Sequence, residues 1–131
     1  MAGVATKTGF AAMASLAGGI AGTAAFTYIA LGVGTTAATS DDTTLESEIV
    51  DSGLARAQDA TPTRTTTTVT NDTLVLENTF TVSGTKSVTE LGVFNAASTG
   101  TMLWRDVFTA IPLTSGATFL PYAKTQFKAG A

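Results

Sequence analysis

From residue 61 to residue 127, apolar and polar positions alternate with the two-residue period of half-buried strands. Turn-forming residues interrupt the pattern at regular intervals. Thr61–Thr70 is dense in β-formers but poor in large apolar residues, and Pro62 and Arg64 suit a strand at a sheet edge. Asn71-Asp72 marks a turn, and Leu74, Leu76, Phe80 and Val82 alternate along the strand after it. Ser83–Lys86 turns the chain into a strand over Ser87–Phe94, and Asn95–Gly100 is a loop. Thr101–Phe108 follows, with Met102, Trp104 and Phe108 on one face and Leu103 and Val107 on the other. Pro112–Gly116 turns again before a last strand, Ala117–Phe127. Upstream, Phe26–Val33 is the first strand.

Two stretches carry a helical period instead. Phe10, Met13, Leu16 and Ala17 form one stripe over Thr8–Ala17, which Gly18-Gly19 ends. Leu45 and Ile49 stand four apart behind the N-cap signal Ser40-Asp41-Asp42, with Glu46 and Glu48 on the wet side and Ser52-Gly53 as the stop. The pattern predicts a mainly β fold, an antiparallel β-sandwich or barrel of about six strands with one or two short helices. It divides into an Ala/Gly-rich N-terminal arm or short helix, residues 1–25, and a single β-sandwich domain, residues 26–131.

Composition narrows the function more than the fold. The 131 residues are 44% hydrophobic and only 13% charged, a single globular domain with a lean supply of charge. Thr accounts for 27 residues, Ala for 22 and Gly for 13. Residues 8–40 are without charge, but six glycines and a mostly Ala apolar content argue against a membrane span. Cys and His are both absent, which excludes thiol and imidazole chemistry, disulfides and Cys or His metal sites. Asp41, Asp42, Glu46 and Glu48 form an acidic cluster without the spacing of a calcium loop, and are expected to be a solvated helix start. Gly32-Val33-Gly34 lacks the rest of a phosphate loop and is expected to be a plain turn. Seven scattered cations and a net charge of −3 give nucleic acid no basic track. Glu90 lies within an apolar strand and Arg105 in a neighbouring one, so the two are expected to form a partly buried structural ion pair. Trp104 is expected in the core. No catalytic residue, cofactor or metal is expected.

The stretch FTYIALGVGTTAATSDDTTLESEI, followed by ELGVFNAASTGTMLWRDVF, resembles a group of small virion proteins of tailed bacteriophages. Ile29–Thr36 matches their strand and turn, Asp42–Glu48 their acidic segment, and Thr89–Leu103 their strand-loop-strand motif, in the same order over about residues 26–127. The resemblance implies a structural component of the virion and brings no catalytic residues. The expected role is a capsid decoration or cement protein acting in many copies. Partners would be copies of itself and other virion proteins of capsid or tail, with no nucleic acid and no membrane. The alternatives are a tail, neck or fibre component, a pilin-like subunit, and last an enzyme. The arm is expected to gain order on a neighbouring subunit, with Phe10, Met13 and Leu16 as its apolar anchors.

Overall fold

The computed structural model of the chain describes residues 3–130 and is mainly β. Its elements run β1 (Val4–Ala5), α1 (Lys7–Ala17), β2 (Tyr28–Gly32), β3 (Ala57–Gln58), β4 (Thr63–Thr65), β5 (Thr73–Glu77), β6 (Phe80–Thr81), β7 (Lys86–Phe94), β8 (Met102–Leu113), β9 (Thr118–Phe119) and β10 (Tyr122–Gln126). The sheets are antiparallel throughout. One has five strands in the order β1-β8-β7-β2-β3, a second has three in the order β10-β5-β4, and β6 pairs with β9. Strands number more than the expected six because several are only two or three residues long. The Thr-rich segment contributes the three-residue β4, exposed and at a sheet edge, as its composition requires.

The main core is filled from both large sheets, as in a sandwich. Ile29, Leu31, Leu91, Val93 and Leu103 meet Leu76 and Ala123, with Phe80 and Val82 closing one end. Every residue of β7 from Val88 to Phe94 is buried, although strands with one wet face normally alternate. Alternate β7 residues do face opposite ways. Leu91 and Val93 enter the main core, while Phe94 joins Ala30, Leu45 and Met102 in a second, smaller cluster. That second cluster exists because the segment between β2 and β3 lies over the outside of the sheet.

This covering segment overturns the expected second helix. Residues 41–50 form no helix. Leu45 and Ile49 do not share a face: Leu45 plugs the outer cluster and Ile49 enters the main core. The backbone is held open by the sheet, with Val33 N–H donating to Ser47 O at 2.9 Å and Ile49 N–H to Leu31 O at 2.8 Å. The other expected turn also moves. β8 continues through Pro112 to Leu113, and the chain reverses at Ser115-Gly116, where Gly116 has φ +91°. β1 pairs β8 only at Trp104 and Arg105, so the rest of that edge tolerates a proline.

α1 forms as expected but turns a different stripe inward. The Thr6 side chain caps it, accepting from Gly9 N–H at 2.9 Å. Gly9 and Ala12 are buried, and Met13 and Leu16 pack against the main core. Phe10 faces solvent, 64% exposed. The inward stripe is therefore 9, 12, 13 and 16, not one running through Phe10. Gly9 sets this rotation: a Cβ there would stand 2.7 Å from Leu103 O, so only glycine lets the helix lie directly on β8. The arm thus seats on its own domain within a single chain. Among the described residues, no helix is long and apolar enough to cross a membrane.

Candidate functional site

Glu90 lies on the outer face of β7, fully buried beneath the covering segment. A carboxylate in that position must be compensated, and here both oxygens are. Arg105 Nε donates to Oε1 at 2.8 Å, Glu46 N–H to Oε1 at 3.0 Å, and Gly34 and Ser47 N–H to Oε2, each at 2.8 Å. Three backbone amides and one guanidinium therefore converge on a single side chain. The strand register places Glu90 opposite Val107 and Gly92 opposite Arg105, so the pair reaches diagonally across β7 and β8.

Arg105 is 2% exposed and directs two further donors at the same segment. Its Nη1 donates to Asp42 Oδ2 at 3.0 Å and its Nη2 to Thr36 O at 2.9 Å. Burial alone would lower the affinity of the guanidinium for its proton, but Glu90 and Asp42 more than offset this and fix the charge. Burial likewise raises the Asp42 carboxyl, and the Thr39 N–H and Arg105 pull it below its ordinary value. Glu46, expected to be a solvated helix residue, accepts from the Thr36 hydroxyl and from the Thr36 and Thr35 amides at 3.1 and 2.7 Å. The Thr89 hydroxyl donates to Gly34 O at 2.6 Å. The expected plain turn at Gly32-Val33-Gly34 is thus part of the site. A Cβ at Gly34 would collide with the Glu90 carboxylate, and one at Gly32 would lie 2.6 Å from Ser47 O.

A second arginine closes the other end of the segment. Arg56 grips Glu48 with two donors, Nη2 to Oε1 at 2.7 Å and Nε to Oε2 at 3.0 Å. Its Nη1 donates to Ala96 O and Thr99 O at 3.0 and 2.8 Å, and its guanidinium lies 3.7 Å from the centre of the Phe94 ring. It ties the covering segment to the β7–β8 loop. Sequence reasoning placed Arg56 only among scattered cations.

The sequence-named residues therefore divide. Glu90 and Arg105 come together and are buried more fully than expected. Phe10, Met13 and Leu16 do not act together, since Met13 and Leu16 face inward and Phe10 outward. Beside α1, Met13, Leu16, Phe26, Leu74, Leu103 and Phe127 line an apolar cavity of about 340 Å³. Trp104 is half-buried, and its indole N–H donates to the Thr125 hydroxyl at 2.7 Å. Asp106 contrasts with Glu90: its Oδ1 is buried without a partner among the described residues, and desolvation raises its carboxyl above the ordinary value. Among the described residues, no three carboxylates are grouped to hold a metal ion. The chain matches no family model, no curated protein and no solved structure.

Proposed function

We propose that this chain is a structural protein of a bacteriophage particle, a capsid decoration or cement protein that binds other virion subunits in many copies. The observation that carries the reading is the convergence of the three motif segments on one latch. Gly34 and Thr36 come from the first, Asp42, Glu46 and Ser47 from the second, and Glu90 from the third, with Arg105 two residues past its end. Glu90 is 0% exposed and its acceptors are filled, so it can touch a substrate only if the covering segment opens. Motifs concerned with holding a segment on a sheet suit a part whose work is to keep its surface in one shape. The low charge supports this too, since few unpaired charges would be desolvated on packing against neighbours.

The test is binding of the purified chain to phage heads that lack it. A decoration protein saturates at copies comparable with the major head subunit and raises the temperature at which heads rupture. Binding to tails or necks alone overturns the head assignment, and binding to no part of the particle overturns the virion reading.

A further inference from the structure

β1 and α1 are joined to the rest of the chain by residues 18–25, of which all but Thr23 are exposed. The amides of Gly18, Gly19 and Ile20 bond back to α1, at Ala14, Leu16 and Ser15. Beyond them, Asn95 touches Ala24 O from 3.4 Å and provides the one hydrogen bond that ties residues 21–25 to the body among the described residues. Gly19 and Gly22 have φ of +65° and +96°, with open space where a side chain would stand. The connector is an exposed strap whose path the body does not dictate.

The attachment of the arm is specific by comparison. Val4 and Ala5 pair with Arg105 and Trp104 on the edge of the five-stranded sheet. Thr6 is 0% exposed, its N–H donating to Leu103 O at 3.0 Å and its hydroxyl to Met102 O at 2.5 Å. Lys7 N–H donates to Ser40 O at 2.9 Å, and Lys7 Nζ meets Asp41 at 2.6 Å. Gly9 rests on the Leu103 backbone. Plug and socket thus belong to one chain, linked by a strap that a single long hydrogen bond ties to the body, and each copy carries both halves of the contact.

We propose that the arm is exchangeable: residues 3–17 of one copy seat in the β8 socket of a second copy, making the contacts they make here within one chain. The inference rests on the reading of a protein that assembles with copies of itself. It requires no new interface, because the exchanged contact is identical to the closed one and the copies differ only in the path of residues 18–25. Flexible connectors of this kind set which socket is reached by length and local concentration.

The absence of cysteine allows a direct test. The Lys7–Ser40 backbone contact brings two exposed positions within reach of a disulfide. A double variant, Lys7→Cys with Ser40→Cys, is expected to close within one chain when dilute. The two single variants, mixed at high concentration and oxidised, are expected to yield a covalent dimer of one chain of each, well above the level either gives alone. Deleting residues 21–24 is expected to double the mass in light scattering, because the shortened arm reaches a neighbour's socket instead of its own. If the mixed singles give no heterodimer while the double variant closes fully, exchange is wrong, whether or not the shortened chain folds. If the protein nevertheless assembles in that experiment, the assembly reading survives and exchange alone falls.

Discussion

At Glu90 the balance of a buried ion pair is shifted by the backbone. An isolated buried pair often contributes little net stability, because desolvation offsets attraction. Here three amides, of Gly34, Glu46 and Ser47, also depend on the same carboxylate. Glu90→Ala strands those amides together with Arg105, and urea unfolding should show a loss of about 3–5 kcal/mol. Replacing both partners by leucine should not restore stability, since each orphaned amide still costs about 1–3 kcal/mol. Gly34→Ala forces a methyl into the carboxylate and should cost about 1–3 kcal/mol in the same assay. Asp106 should behave in the opposite sense. Its carboxyl is raised in the fold, so the folded state holds the proton more tightly than the unfolded chain, and stability falls as pH rises through that raised value. Asp106→Asn should therefore raise Tm near neutral pH, and the gain should vanish below about pH 4, where the unfolded carboxyl is protonated too. An unchanged Tm at neutral pH would count against this account of Asp106.

Among the elements, those with strong local patterns were legible in the sequence. The period of two along Ser87–Phe94 and Thr101–Phe108 is the β7–β8 hairpin, and the Gly18-Gly19 stop ends α1 where it should. Glu90 and Arg105 were also legible, because a charge amid apolar strand residues demands a partner. The covering segment was not. Leu45 and Ile49 are four apart, as in a helix, but their destinations lie on opposite sides of a sheet, and long-range bonds from Leu31 and Glu90 outcompete local ones. The rotation of α1 was hidden for a similar reason: Phe10 has the apolar side chain, but Gly9 permits the close approach. The β4–β5 connection is organised by Asp72, which accepts from the amides of Val69, Thr67 and Thr68 at 2.9–3.1 Å. The Val69 amide first and then the Thr67 amide hold its carboxyl well below the usual range. A lowered carboxyl contributes stability above its unfolded value and loses it as pH falls through the folded one. Protection factors of the Thr67–Val69 amides, taken against their intrinsic rates, should thus hold down to about pH 4 and fall in stronger acid, whereas Asp72→Asn should lower them already at neutral pH.

For the whole molecule, the polar latch and the apolar cores point inward, and the exterior carries Thr, Ala, the remaining charged residues and a few apolar side chains. Phe10, Ile20, Val50, Val69, Tyr122 and Phe127 are each more than half exposed. Singly, such residues are ordinary. On a protein proposed to coat a particle, they are positions that neighbouring subunits would cover. Phe10 keeps its outward face whichever socket the arm occupies, whereas Ile20 lies on the connector whose path the proposed exchange changes. The proposed role depends on abundance more than on any one contact, because a cement protein works by repetition over the head lattice. The copy number of this chain in purified particles, read from stained-gel intensity against the major head subunit, tests that directly. The account predicts a stoichiometry of the same order as the head subunit; a handful of copies per particle, or none, would contradict it.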